Sequence, residues 1–220
     1  MGKIFSPYQV IPPPLSKAVN EIDYWFVIGG QAVRCFCPYR PSCDVDFGVG
    51  NVKNLEGLIS TLEKQGEVEI LERGSHTVHL QFNGINVSIF VLEKLLPFVE
   101  NRCLTITAIL ATKLHAIMDR GKRRDFFDLY ITLQTQRLGI AECLASMRKV
   151  YDEPIHDSLL LRALTYFSDA EDENPLPNEG PNDWKVVKDY FLTQVGSLLT
   201  PPIKELSIQK KVIDIVQDKI

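Results

Sequence analysis

The chain has 220 residues, with 45% hydrophobic, 24% charged and 9% aromatic side chains and a formal net charge of −4. This composition supports a sizeable core and excludes disorder and fibrous repeats, and no apolar run reaches the roughly 18–20 residues of a membrane-spanning helix. Residues 1–150 carry 17 Lys and Arg against 15 Asp and Glu, whereas residues 151–220 carry 7 against 13. That balance excludes nucleic-acid binding over the whole surface but leaves room for a local basic patch, densest at Lys122-Arg123-Arg124.

The opening Met1-Gly2-Lys3-Ile4-Phe5-Ser6 lacks the apolar stretch of a signal peptide. It matches the loose M-G-x-x-x-S acylation pattern, with Pro7 following at once. Pro7 and Pro12-Pro13-Pro14 predict an extended arm leading to a short helix over 15–23. Trp25-Phe26-Val27-Ile28 is a wholly apolar run ending at Gly29-Gly30, which predicts a buried strand meeting a tight turn. Residues 31–37 suit a helix stopped by Pro38. Cys35, Cys37 and Cys43, even with His76 and His79, have none of the usual C-x-x-C spacings of a zinc site. Five cysteines without an export signal read instead as reduced thiols of a cytoplasmic protein.

Val45, Phe47 and Val49 alternate with Asp44, Asp46 and Gly48, a strand signature. Residues 55–65 form an amphipathic helix, and 68–71, 77–82 and 85–91 are three strands. Between the last two, Asn83-Gly84 signals a tight hairpin. From about residue 105 the pattern turns helical: Ile106, Ile109, Leu110, Leu114, Ile117 and Met118 share one face up to Gly121. Further helices are expected over 126–135, 141–150, 155–167, 185–199 and 203–217, with an acidic surface loop over 169–183. The expected architecture is α+β: a mixed sheet of about five strands in residues 1–100, then a helical domain over 101–220.

A strand delivering a Gly-Gly turn, a short helix, then Asp-x-Asp on the next strand has a specific chemical use. Glycines let backbone N–H groups approach a phosphate. Asp44 and Asp46, at i and i+2, emerge on one face of a strand. Two such carboxylates repel unless a cation lies between them, and oxygen donors of this kind suit Mg²⁺ or Mn²⁺. An exposed strand face with two solvated acids would leave the same pattern.

The run Gly29-Gly30-Gln31-Ala32 followed by Arg40-Pro41-Ser42-Cys43-Asp44-Val45-Asp46-Phe47 resembles the signature of the DNA polymerase beta-like nucleotidyltransferase superfamily. A second block, Lys113-Leu114-His115-Ala116 with Arg120-Gly121-Lys122-Arg123-Arg124-Asp125-Phe126-Phe127-Asp128-Leu129-Tyr130, resembles that of the AbiEii/AbiGii-type toxin family, which includes the MenT nucleotidyltransferase toxins. The resemblance covers about residues 20–135. It implies a nucleotidyltransferase fold and transfer of a nucleoside monophosphate from a nucleoside triphosphate to an acceptor hydroxyl. A tRNA 3′ end is the implied acceptor, Mg²⁺ or Mn²⁺ the cofactor, and a cognate antitoxin the implied partner.

By the same resemblance Asp44 and Asp46 are the metal ligands, Gly29 and Gly30 face the triphosphate, and Arg40 and Ser42 match an R-x-S-x-D spacing. Lys113 reaches the triphosphate, and Asp125 acts as a base or orients Lys113 or the acceptor. Arg120, Lys122, Arg124 and Asp128 bind the acceptor or support the site. Plainer readings stand beside these: Lys113 snorkelling to solvent, Asp125 as a helix-start carboxylate, Arg120, Lys122 and Arg124 as a solvated turn, and His115 as a packing residue. Ser88 occupies the strand position where many superfamily members carry a third carboxylate. Two other readings therefore stay open: transfer to a small molecule or a protein hydroxyl, and a non-catalytic nucleotide-binding module.

Overall fold

The computed structural model describes residues 5–42, 44–152 and 156–200. The helix expected over 203–217 and the thiol of Cys43 lie outside these residues. Two short helices open the chain: α1 (Pro7–Val10), where the sequence predicted an extended arm, and α2 (Pro13–Ala18), which overlaps the short helix expected over 15–23 but starts and ends earlier. The prolines start these helices because the first helical position needs no N–H donor and prefers the φ that proline fixes. Then follow β1 (Trp25–Val27), α3 (Gly29–Phe36), β2 (Val45–Val49) and α4 (Val52–Gln65). Strands β3 (Val68–Arg73), β4 (Thr77–Phe82) and β5 (Ile85–Val91) come next, and a 3-10 helix (Glu93–Phe98) leads to β6 (Val99–Glu100) and β7 (Cys103–Leu104). The helical part comprises α5 (Ile106–Arg120), α6 (Arg123–Gln136), α7 (Ile140–Tyr151), α8 (Asp157–Leu164), α9 (Ser168–Glu171) and α10 (Asp183–Leu199).

The strands form one mixed sheet in the order β3-β4-β5-β2-β1-β7-β6. Seven strands stand where about five were expected, because β6 and β7 have two residues each and are too short to show an alternation. They are held by backbone pairing: β7 runs parallel to β1, and Val27 N–H donates to the Arg102 carbonyl at 2.9 Å. The sheet thus reaches past residue 100 to Leu104. At its other edge, Asn83 (φ 48°) and Gly84 (φ 78°) make the β4–β5 turn with both central residues left-handed, which fits the twist of the strands.

One face of the sheet presents Phe47, Val49, Val78, Leu80, Val87 and Ile89, all buried, as are Leu55, Leu58, Ile59 and Leu62 of α4, which packs against β2 and β5. Trp25 belongs to this layer. Its ring meets Tyr8 and Phe47 edge-on, and its Nε1 donates to the Val19 carbonyl at 3.1 Å. The other face carries Asp46 and Phe26. Helix α5, whose Ala108, Ile109, Leu110, Ala111, Leu114 and Ile117 are buried, packs against α3, α6, α7 and α8 and joins the two parts of the chain. It ends at Gly121 in the left-handed conformation, φ 54°, as its position after the last periodic residue suggests. Burial in this core pushes the Cys143 thiol up to about 12, and Cys35 and Cys103 are buried free thiols.

Gly48 sits across from Phe26 in the β1–β2 register, and a Cβ on it would lie 2.3 Å from the Phe26 ring. Because both partners are held in central strands, Gly48→Ala is expected to destabilise the fold by about 1–3 kcal/mol through overpacking. Urea denaturation checks this, and an unchanged midpoint would refute it.

Candidate active site

A cleft of about 810 Å³ lies between the β4–β5–β2 face of the sheet and helices α3, α5 and α6. The first device that builds it is the β1–α3 junction. Gly29 has φ 58°, and a Cβ there would stand 2.6 Å from Asp46 Oδ2; one on Gly30 would lie 3.0 Å from Ser42 Oγ and 3.2 Å from an Arg40 nitrogen. The two glycines therefore let the start of α3 lie directly against the residues around the carboxylates. Gln31, buried on the next position, donates from Nε2 to the carbonyls of Ser42 (3.3 Å) and Asp44 (3.2 Å), and its Oε1 accepts from Arg34 Nη1 at 2.9 Å. A side chain of α3 thus pins the loop that carries Asp44.

Asp44 is exposed at the start of β2 and Asp46 is partly covered within it. On the parallel neighbour β5, Ser88 stands beside Asp46, and Asn86 Nδ2 donates to Asp44 Oδ1 at 3.3 Å. Burial holds the Asp46 carboxyl above the ordinary carboxylate range; the nearby charge of Asp44 pushes the same way, while Lys113, Arg124 and Arg120 oppose it.

Behind the opposite wall lies a buried ionic network. Lys113 on α5, 5% exposed, reaches Asp128 Oδ2 at 2.6 Å and Asp125 Oδ1 at 3.2 Å. Asp128, 1% exposed, also accepts from Arg40 Nε (3.0 Å) and Nη2 (2.9 Å) and from the Tyr39 hydroxyl (2.5 Å). Asp125, fully buried at the start of α6, accepts from Arg120 Nε (2.9 Å) and Nη2 (3.1 Å). Burial alone would raise both carboxyls. The Lys113 ammonium, with Arg120 for Asp125 and Arg40 for Asp128, outweighs it and holds both below the usual range. Tyr39 is pushed well above the ordinary phenol value, chiefly by burial and then by Asp128.

The sequence-derived candidates thus fall into two groups. Gly29, Gly30, Arg40, Ser42, Asp44, Asp46, Lys113, Arg120 and Arg124 all line the cleft. Asp125 and Asp128 stand behind that lining, their oxygens occupied by cations, an arrangement that suits holding Lys113 and Arg40 rather than taking a proton from an acceptor. The dense basic run divides three ways, so it is not one patch. Lys122 turns to Glu173 (3.9 Å) outside the cleft, Arg123 is buried between Glu179 and the Trp184 ring, and only Arg124 faces the cleft. Lys113 does not snorkel to solvent; its ammonium is held inside by two carboxylates. His79, Asn86 and Thr112 also line the cleft and were not singled out as site residues. The first two were legible in principle: once Asn83-Gly84 fixes the hairpin register, His79, Gln81, Asn86 and Ser88 fall on one polar face.

Removing one partner of this network leaves buried charges unpaired. Asp128→Ala is expected to lose about 3–5 kcal/mol of stability at pH 7. Because the folded carboxyl is depressed, its contribution is present above the unfolded value near 3.9 and is lost as pH falls through the lower folded value. The gap between wild type and variant should therefore narrow as pH falls below about 4. Denaturant titrations at pH 7 and pH 3 check both parts, and a gap independent of pH would sink the assignment.

Comparison with known proteins identifies the family. The model of the family described as "Nucleotidyl transferase AbiEii toxin, Type IV TA system" matches residues 66–205, well over half of the chain and including the Lys113–Asp125–Asp128 network. An uncharacterised protein of Aquifex aeolicus is 26% identical over 186 residues, covering 80% of this chain and 88% of its own. Among solved structures, JHP933 from Helicobacter pylori matches with TM-score 0.49 at 16% identity, over 93% of this chain and 94% of that one. The antibiotic-resistance factor ANT(2'')-Ia matches with TM-score 0.49 at 12% identity, over 64% of this chain and 89% of that one. By its family match, the chain belongs to the AbiEii nucleotidyl transferase toxin family and is a nucleotidyltransferase.

Proposed function

We propose that the protein is a divalent-cation-dependent enzyme that moves a nucleoside monophosphate from a nucleoside triphosphate onto an RNA hydroxyl. The acceptor in this reading is a tRNA 3′ end, and the protein acts as the toxin of a toxin–antitoxin pair. One observation carries the chemistry: a single cleft sets the two carboxylates of β2 opposite the cations of α5 and α6. Nucleotidyl transfer needs that polarity, because the triphosphate must be held by cations while its α-phosphorus is presented to a hydroxyl.

The carboxylate pair fits Mg²⁺ or Mn²⁺. Asp44 and Asp46 share one strand face, and the raised Asp46 carboxyl marks a charge for which Lys113, Arg124 and Arg120 only partly compensate. Bound there, the ion would supply neutralisation of triphosphate oxygens and increased acidity at the attacking hydroxyl. The chain's own groups do the positioning. The N–H groups at the Gly29–Gly30 start of α3 face the phosphates with the positive end of the helix dipole. Lys113 presents a charge whose position is set by Asp125 and Asp128, and Arg40 is held the same way beside Ser42. Arg120 and Arg124 extend the positive wall toward the acceptor. In this reading residues 1–100 contribute the carboxylates, the glycine turn and Arg40, and residues 101–220 contribute Lys113, Arg120 and Arg124.

The test is incubation of the full chain with each α-³²P-labelled triphosphate, Mg²⁺ and total RNA, beside Asp44→Ala. The expected result is label on RNA that is lost in the variant and abolished by chelation of the metal. Phosphate contacts would make transfer fall steeply with salt; label appearing only on protein or a small molecule would reject the RNA acceptor.

Stability supplies a second check. A carboxyl raised in the folded state contributes stability below its unfolded pKa and loses it as pH rises through the folded value. Asp46→Asn should therefore melt higher than wild type at pH 7 without metal. Mg²⁺ with triphosphate should then raise the melting temperature of the wild type and not of the variant. Equal ligand-induced shifts would refute the Asp46 assignment.

A further inference from the structure

A polar row crosses three strands on the sheet wall of the cleft, where His79 on β4 pairs with Ser88 on β5, and Ser88 pairs with Asp46 on β2. On β3 the residue that lines the cleft is the apolar Leu71. His79 Nδ1 lies 2.9 Å from Ser88 Oγ, and both residues line the same cleft as Asp46 and Lys113. The Phe90 ring meets the imidazole edge-on at 5.8 Å between centroids and helps fix its plane. A hydroxyl bonded to an imidazole, one strand from a carboxylate at the reacting centre, is a ready path for a proton leaving an attacking hydroxyl.

We propose that His79 is the terminal proton acceptor of the transfer reaction, with Ser88 as the relay. The proposal rests on the reading of this cleft as the nucleotidyl-transfer site. In the step, the acceptor oxygen forms a bond to the α-phosphorus, and the bond from that phosphorus to the bridging oxygen breaks. The electron pair of the broken bond leaves with pyrophosphate. The acceptor proton passes to Ser88 Oγ as the proton of Ser88 moves to His79 Nδ1, so the products are the new phosphodiester, pyrophosphate and an imidazolium. The resting tautomer this requires has its proton on Nε2 and Nδ1 free to accept.

Imidazole is the side chain whose basicity best suits accepting and then releasing a proton in such a step. The titratable and charged groups around it are Glu72, its backbone neighbour on β3, and, lining the same cleft, Asp44 and Asp46 at β2, Arg40 before it, His115, Asp119, Lys113 and Arg120 from α5, and Arg124 from α6. Of these His115 is the other imidazole, so it serves as the control. Its ring stacks on Tyr151 at 5.0 Å.

The experiment follows pyrophosphate release and label transfer from pH 5.5 to 9 for the wild type, His79→Gln, His79→Gly, Ser88→Ala and His115→Gln, with melting temperatures for each. Pyrophosphate release reports the proton step for whichever hydroxyl is used, water included. Its presence without labelled RNA would therefore reject the RNA acceptor and leave His79 testable. The expected result is a loss of about 10²-fold in kcat for His79→Gln, with little change in KM for the triphosphate. The rising acidic limb of the wild-type profile should vanish in His79→Gln and persist in His115→Gln, and added imidazole should restore part of the His79→Gly rate. Ser88→Ala, which removes only the relay oxygen, should flatten the same limb even if the His79 variants fold poorly. A limb that persists in His79→Gln or Ser88→Ala, failure of imidazole to rescue a folded His79→Gly, or a nucleotide found covalently on Ser88 would each overturn the proposal.

Discussion

The structure turns on the carboxylate of Asp128. It is 1% exposed, and it binds Arg40 and Tyr39 from the segment after α3 and Lys113 from α5. A carboxylate so deeply buried is tolerable only when its desolvation is offset by close cations and well-aligned donors. The three partners come from positions up to 89 residues away in sequence, so the bond forms only when the sheet and the helices are assembled together. Loss of any partner leaves a charge buried inside the joint. Neither part of the chain is therefore electrostatically complete without the other, and the joint lies immediately behind the cleft.

The uneven charge of the two sequence halves is resolved in the same way. The acidic segment that the sequence presents as a surface loop turns back onto the basic run. Glu179 binds Arg123, and Glu173 accepts from the Arg123 backbone N–H and lies near Lys122. Glu171 binds Lys188 and accepts from Trp184 Nε1 at 3.1 Å. Much of the positive charge that seemed available for a polyanion is thus consumed within the fold. Toward the cleft the positive charges form a short arc of Arg40, Lys113, Arg120 and Arg124, of which Arg40, Lys113 and Arg120 are themselves tied to Asp125 and Asp128.

Much of this was legible from the residues, and the exceptions have physical causes. Strands β2, β4 and β5 and helices α4 and α5 announced themselves because their buried faces repeat at two or at 3.6 residues. The Gly-Gly turn and Asp44-Val45-Asp46 were visible because, with Arg40 and Ser42 between them, they resemble a known signature; the two acids alone would equally suit a solvated strand face. Strands β6 and β7 were not visible, since two-residue strands exist only through pairing with a neighbour. Neither was the fate of Lys122 and Arg123, because a run of like charges gives no sign of which acids will return to meet it. The polar face of the β4–β5 hairpin was legible only once the register was worked through: His79 and Ser88 become neighbours through the turn that Asn83-Gly84 sets. Gln31 gave no signal either, since its work is done through two backbone carbonyls in a loop more than ten residues away.

Three of the aspartates around the cleft carry the same side chain into opposite electrostatic conditions. Asp125 and Asp128 are more deeply buried than Asp46, yet their carboxyls are depressed because the protein itself supplies their cations. The Asp46 carboxyl is raised because burial, with Asp44 adding to it, outweighs the opposing charges of Lys113, Arg124 and Arg120. A fold selected for stability alone would extend the network by one more cation or remove the acid. Gly29 makes the opposite arrangement possible: with no Cβ, it leaves the space that Asp46 Oδ2 occupies. Environments that drive like groups apart in this way separate structural acids from working ones. On that criterion Asp46 stands apart from Asp125 and Asp128, whose charges the chain itself neutralises, which agrees with the working role proposed for it.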